Sequence, residues 1–270
     1  MAAYAIMGVV NVTPDSFSDG GALPDAAAAV AHARRLVEEG AAIVDVGGES
    51  TRPGAGPVPA DEELRRVVPV VEGVAALETA AQISVDTTKL AVAEAAVDAG
   101  ATYVNDVSAF RHDPDLAGFV ADRGLDCCLM HMLGEPRTMQ DDPRYDDVVS
   151  EVKAFLEERL AAAVAAGVAE ERVQLDPGIG FGKTLEHNLE LLRRLDEIAA
   201  IGRPVVLGTS RKSFIGRLTG RQVAADRVAG TVATCVLGLE RGARVFRVHD
   251  VAAVADGLAV AAATLARDGG

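Results

Sequence analysis

Short apolar runs recur along the chain, each ending in polar residues and followed by an alanine-rich stretch. Residues 5–10 (AIMGVV) form the first run, closed by Asn11-Val12-Thr13-Pro14-Asp15. Runs of this length, rich in branched side chains, predict buried strands. A polar, glycine-rich loop extends to Gly21, and residues 25–39 predict a helix stopped by Gly40. The next strand, 42–46, ends in Gly47-Gly48-Glu49-Ser50-Thr51-Arg52-Pro53-Gly54. A helix over 61–77 follows, with Pro69 expected to interrupt or kink it.

The same unit then repeats. Strands at 82–85, 102–104, 126–130, 173–175, 204–207 and 244–246 end respectively at Asp86, Asn105-Asp106, His131, Asp176-Pro177-Gly178, Gly208-Thr209-Ser210-Arg211-Lys212-Ser213 and Arg247-Val248-His249-Asp250. Helices are expected up to Gly100, after Pro114, over 146–166, 185–200 and 224–241, and at the C-terminal end. About eight strand-then-helix units, spaced by about 34 residues, predict a single-domain α/β fold over residues 1–270: a (β/α)8 or TIM barrel. Short, fully apolar strands suit a parallel sheet buried on both faces. A doubly wound open sheet is the rival, but no GxGxxG or GxxxxGK[ST] motif opens a helix here. In a barrel the C-terminal strand ends share one mouth, so their polar residues converge on one candidate site.

Composition narrows the partners. A formal charge of −14 excludes a general nucleic-acid or membrane-surface binder while allowing a small anion in a locally basic cleft. There is no basic segment leading into a long apolar run and no apolar stretch of membrane-spanning length, so a cytoplasmic protein is expected. Three cysteines give no disulfide framework. Cys127 and Cys128, adjacent in a strand, should point to opposite faces and pack as small apolar residues.

Two groups of strand-end residues suggest chemistry. Asp86, Asn105, Asp176 and Lys212 offer carboxylate and amide acceptors with a charged donor, which suits a flat heterocycle bearing several N–H groups. Singly, each aspartate could be a helix cap and Asn105 a turn residue. Asn11, Thr51, Arg52, Arg247 and His249 suit phosphate, since arginine forks pair with its oxygens. Asn11 is also an oxygen donor that Mg²⁺ tolerates beside water and substrate phosphates. In a chain with 4% aromatics and no Trp, Phe181 and Phe17 on mouth loops are candidate stacking walls.

With these residues in place, the sequence resembles the dihydropteroate synthase family of the folate pathway. The resemblance runs from Met7-Gly8-Val9-Val10-Asn11-Val12-Thr13-Pro14-Asp15-Ser16-Phe17-Ser18-Asp19-Gly20-Gly21 through Asp45-Val46-Gly47-Gly48-Glu49-Ser50-Thr51-Arg52-Pro53-Gly54, Ser84-Val85-Asp86-Thr87 and Val104-Asn105-Asp106-Val107-Ser108. It continues through Met130-His131-Met132, Asp176-Pro177-Gly178-Ile179-Gly180-Phe181-Gly182-Lys183 and Ser210-Arg211-Lys212-Ser213-Phe214 to Arg247-Val248-His249-Asp250.

The resemblance implies condensation of 4-aminobenzoate with 6-hydroxymethyl-7,8-dihydropterin diphosphate, assisted by Mg²⁺. It implies that Asp86, Asn105, Met130, Asp176, Lys212 and Arg247 hold the pterin. Phe17, Thr51, Pro53, Phe181, Lys212 and Ser213 would line the aminobenzoate slot. Asn11, Thr51, Arg52, Arg247 and His249 would take the diphosphate, with Mg²⁺ near Asn11. Asp19, Arg52, Lys212, Arg247 and His249 would serve catalysis, and Arg247 is expected to act mainly on the diphosphate. Arg211 is expected to form a structural ion pair instead. A homodimer and sulfonamide inhibition are family expectations. The rivals are a pterin-binding barrel of the methyltetrahydrofolate:corrinoid methyltransferase kind and a non-catalytic paralogue.

Overall fold

Alternation along each strand divides the side chains between two cores, and that division positions the site. A computed structural model describes residues 4–13, 26–51 and 54–266. Eight parallel strands close into a barrel in chain order: β1 Ala5–Asn11, β2 Ile43–Gly47, β3 Gln82–Asp86, β4 Tyr103–Asp106, β5 Asp126–Met130, β6 Val173–Asp176, β7 Val205–Leu207 and β8 Ala243–Val248. Closure is made by β1, which pairs with both β2 and β8.

The lower barrel interior is filled by Met7, Ile43, Tyr103, Cys128, Val206 and Val245, a cluster separate from the layer between strands and helices. Tyr103 is fully buried there, and its hydroxyl donates to Gln174 Oε1 at 2.9 Å, so its polar end is satisfied. Cys127 packs in the outer layer and Cys128 in the barrel interior, the opposite-face packing that strand geometry requires. Two residues further along, the inward positions turn polar: Asp45 after Ile43, Asn105 after Tyr103, and Arg247 after Val245. Hydrophobic filling therefore stops partway up the barrel, and a charged floor begins.

The described helices are α1 Ala26–Glu38, α2 Ala60–Ala75, α3 Leu90–Asp98, α4 Asp115–Arg123, α5 Val148–Ala165, α6 Leu185–Arg193, α7 Leu195–Ala199, α8 Ser213–Thr219, α9 Val228–Glu240 and α10 Val251–Leu265. Helix α2 shows why they cover the barrel. Val67, Val70, Val71 and Val74 make one buried stripe at helical spacing, each contributing about 1.5–3 kcal/mol of burial.

The helix does not stop at Pro69. That residue lies on the exposed face, where the carbonyl deprived of its partner can bind water. The single helix expected over 185–200 is instead two, because Arg194 leaves helical geometry at φ −109°, ψ 30°. Residues 224–227 form a 3-10 turn before α9, and the short α8 after Lys212 escaped the periodicity reading.

Candidate active site

Asp45, the middle residue of β2, anchors the charged floor and is fully buried. Its Oδ1 accepts from Ser84 Oγ at 2.6 Å; its Oδ2 accepts from Asn105 Nδ2 at 3.1 Å and from Arg247 Nε at 2.7 Å. The same guanidinium donates through Nη2 to Asp86 Oδ2 at 2.7 Å. Arg247 thus bridges two carboxylates, and its own charge is strongly favoured by them against the cost of burial.

One cation between two buried carboxylates leaves a net negative charge. Burial pushes the Asp86 carboxyl up to about 7; Arg247 opposes the shift and the Asp45 charge reinforces it. Asp86 is therefore an acceptor that gains when a ligand brings N–H donors against it. Asp86 and Asn105 are paired in register on β3 and β4, as are Met130 and Asp176 on β5 and β6. These inward positions face one pocket.

Across the pocket, Asp176 is buried and its Oδ1 accepts from Gly178 N at 2.6 Å. Burial raises its carboxyl pKa, against the opposing charge of Lys212. Lys212 donates from Nζ to the Ile179 carbonyl and lies 4.6 Å from the centre of the Phe181 ring. Burial lowers the Lys212 ammonium to about 8, with Asp176 resisting the shift. Met130, Val107, Met132 and Met139 form a small apolar cluster against which Phe181 packs, so a flat apolar wall stands beside the polar floor.

The Phe181 loop is clamped onto the β5 loop. Gly178 has φ +66°, and a Cβ there would come within 1.8 Å of the His131 carbonyl oxygen, so only glycine fits. Buried Lys183 donates to the Phe181 carbonyl at 3.0 Å and meets His131 Nδ1 at 2.9 Å. Burial pulls the Lys183 ammonium well down, and burial with the Lys183 charge brings His131 to about 2. Tyr145 Oη donates to the Gly182 carbonyl at 2.9 Å, and Gln140 Nε2 to the Gly180 carbonyl at 2.6 Å.

On the other side of the mouth, Asn11 ends β1 half-buried and in register with Gly47. Thr51 is also half-buried, on the loop after β2. That loop is tied down by Lys89, which donates to Glu49 and, at 2.5 Å, to Glu63. His249 follows β8; both its backbone N–H and its Nδ1 meet Ser210 Oγ, at 3.1 and 3.0 Å. Arg211 clasps Asp250 through Nε at 2.8 Å and Nη2 at 2.5 Å, the structural ion pair expected of it. Ser213 is exposed at the start of α8. Phe17, Asp19, Arg52 and Pro53 lie outside the described residues.

The expected split of the mouth into a ring pocket and an anion site looks different with Arg247 in view. Two of its nitrogens already serve Asp45 and Asp86, so it belongs to the ring pocket's floor as much as to any phosphate. Asp45 itself drew no role from the sequence, although a charged residue inside the strand IVDVG was a usable signal. No group of three or more His, Cys, Asp or Glu is assembled for a metal among the described residues. Asn11 offers a hard oxygen without a carboxylate cluster. That donor set suits Mg²⁺ carried in mainly by substrate phosphates and water.

A family model described as pterin binding enzyme matches residues 7–249. The chain is 50% identical over 262 residues to dihydropteroate synthase of Neisseria meningitidis serogroup B, covering 94% of this chain and 90% of that one. It is 46% identical over 260 residues to dihydropteroate synthase of Escherichia coli K12, covering 96% and 91%. Among solved structures, Xanthomonas albilineans dihydropteroate synthase with 4-aminobenzoic acid superposes with a TM-score of 0.92 at 52% identity, covering 98% of this chain and 94% of that one. The same enzyme in complex with 7,8-dihydropteroate gives 0.89 at 49% identity, covering 98% and 95%. A Yersinia pestis dihydropteroate synthase with a sulfonamide drug complex gives 0.91 at 44% identity, covering 97% and 94%. With a closed barrel and a polar pocket at its mouth, this chain belongs to the pterin-binding enzyme family, within the dihydropteroate synthases.

Proposed function

We propose that the barrel mouth condenses 4-aminobenzoate with 6-hydroxymethyl-7,8-dihydropterin diphosphate, releasing 7,8-dihydropteroate and diphosphate. The observation that carries this reading is the Asp45–Arg247–Asp86 chain, with Asn105, Asp176 and Lys212 around the same pocket.

Asp86, Asn105 and Asp176 take the pterin's ring N–H and amino groups, Lys212 donates to a ring acceptor, and Met130 packs on the ring face. The C–O bond between the pterin methylene and diphosphate breaks with its electron pair going to oxygen. The resulting cation is delocalised into the ring, where Asp86 and Asp176 offset its charge. The aniline nitrogen then forms the C–N bond and loses its proton to solvent. A neutral aniline needs no strong base, so positioning and charge stabilisation carry the catalysis.

Asn11, Thr51, Arg52, Arg247 and His249 receive the diphosphate, and Asp19 joins them. Mg²⁺, when bound, supplies charge neutralisation at the leaving group, with Asn11 as the protein group that would hold it. Phe17, Thr51, Pro53, Phe181, Lys212 and Ser213 line the aminobenzoate slot. The carboxylate sits near Ser213, and the Phe181–Lys212 stack forms one wall.

No helix among the described residues is long and apolar enough to cross a membrane, which is compatible with a cytoplasmic enzyme. We take it to act as a homodimer, a state that analytical ultracentrifugation would measure directly. The reaction is tested with purified protein, Mg²⁺, the pterin diphosphate and radiolabelled 4-aminobenzoate. Labelled dihydropteroate is expected, with sulfonamide inhibition relieved by raising aminobenzoate. Absence of labelled product overturns the reading. Methyl transfer from methyltetrahydrofolate to a corrinoid would replace it.

A further inference from the structure

Phe181 stands between Gly180 at φ +85° and Gly182 at φ +62°. Glycines on both sides leave the aromatic residue without a backbone preference to hold it. Its place is fixed by side chains from outside the turn, each taking one carbonyl of the loop. Gln140 Nε2 donates to the Gly180 carbonyl at 2.6 Å, Tyr145 Oη to the Gly182 carbonyl at 2.9 Å, and Lys183 Nζ to the Phe181 carbonyl at 3.0 Å. Gln140 is exposed and Tyr145 half-buried, whereas Lys183 is only 3% exposed. The tether on Phe181's own peptide therefore starts from the most deeply buried of the three donors.

A lysine is a costly choice for that position. Its Nζ also meets His131 Nδ1 at 2.9 Å, and neither partner is a carboxylate. Burial outweighs the Asp176 charge that favours its ammonium. For stability alone, an apolar side chain would fill the same space without that cost. What an apolar side chain lacks is an N–H, and the amine has one for the Phe181 carbonyl whether it is charged or neutral. A second lysine meets the same residue, since Lys212 Nζ lies 4.6 Å from the centre of the Phe181 ring. One lysine thus holds the peptide of Phe181 and the other meets its ring.

We propose that Lys183 is a positioning residue that holds Phe181 as a wall of the aminobenzoate slot. The proposal rests on the reading above that places Phe181 in that slot. Lys183 touches neither substrate; it acts through the Phe181 peptide.

Steady-state kinetics on the full-length protein separate this role from a share in the fold. Lys183→Met keeps the length of the side chain and removes its N–H groups. It is expected to raise KM for 4-aminobenzoate about tenfold and leave KM for the pterin diphosphate within about twofold, as loss of one hydrogen bond behind one substrate implies. Amide hydrogen exchange over residues 178–184 reads the tether without turnover and should quicken in the same variant. Lys183→Met with His131→Leu also removes the orphaned imidazole nitrogen. Its melting temperature should return toward the native value while KM for aminobenzoate stays high. An unchanged KM for aminobenzoate, equal rises for both substrates, or unchanged exchange overturns the proposal. So does a double variant that regains the native KM together with its stability, or failure of both variants to fold, since Lys183 then serves the fold. Phe181→Ala separates the proposal from the reading beneath it. If that variant leaves KM for aminobenzoate unchanged, Phe181 does not line the slot and both fall. If it raises KM while Lys183→Met does not, the proposal alone falls.

Discussion

Asp45→Asn should move the acid limit of pterin binding by about two pH units. In the native protein Asp45 and Asp86 share one guanidinium, and burial with the Asp45 charge holds the Asp86 carboxyl up to about 7. A protonated Asp86 cannot accept from a ring N–H at both oxygens, so pterin affinity should fall about tenfold per pH unit below about 7. Asparagine keeps the shape of residue 45. Its amide oxygen can still face Arg247 and Asn105, while Ser84 must turn from donating to accepting.

What Asp45→Asn removes is a charge that lies across one guanidinium from Asp86. At a separation of roughly 6 Å and an effective dielectric constant of about 20, that charge contributes about 3 kcal/mol, or about two pK units. The acid limb should therefore move toward about 5. The exchange also weakens the bonds from Arg247 and Asn105 from charge-assisted to neutral, costing about 1–3 kcal/mol of stability. Isothermal titration of a pterin ligand from pH 5 to pH 9 reads the limb, and urea unfolding reads the stability. A limb that stays near 7 in the variant would refute the claim that two carboxylates compete for one cation.

The stability of the protein should carry the same signature. Between the ordinary carboxylate value of 3.8 and about 7, folded Asp86 holds a proton that the unfolded chain releases, so this group makes stability fall as pH rises through that window. Asp86→Asn should flatten that slope in denaturant melts. Lys89→Met should cost about 3–5 kcal/mol, because Glu63 is fully buried, its Oε2 leans on Lys89, and its Oε1 already lacks a partner among the described residues; urea unfolding measures it, and Lys89→Met together with Glu63→Leu should recover part of the loss. Gly178→Ala should abolish condensation even if the chain folds, since its Cβ would meet the His131 carbonyl oxygen and displace the Phe181 loop; near-normal turnover would show that this loop does not build the site.

The barrel was legible because each strand is short, apolar and followed by a helix. The mouth was legible because strand ends carry residues that a buried sheet would not otherwise tolerate. Asp86, Asn105, Asp176 and Lys212 stand out as candidates in this way, one strand at a time. Asp45 was not, because it sits one turn of the pleat below the rim, inside a strand whose flanks read as uniform core. Its meaning comes from Arg247, 202 residues away, which only barrel closure through β1 brings within reach. Helix α8 leaves no mark in the hydrophobic pattern, since seven residues offer too little periodicity to register. Pro69 does not interrupt its helix, because a proline's effect depends on which face of the helix it occupies, and that face is set by what the helix packs against.

Arg247 has a structural duty beside the substrate roles expected of it. A residue whose guanidinium joins β2 to β3 from β8 is a structural keystone of the pocket floor before any ligand arrives. Its remaining nitrogen, Nη1, is what could reach an anion. In the reaction proposed above, the diphosphate departs from a cation already committed to two carboxylates. Arg247 can therefore stabilise the developing charge without holding the product as tightly as an unpaired arginine would.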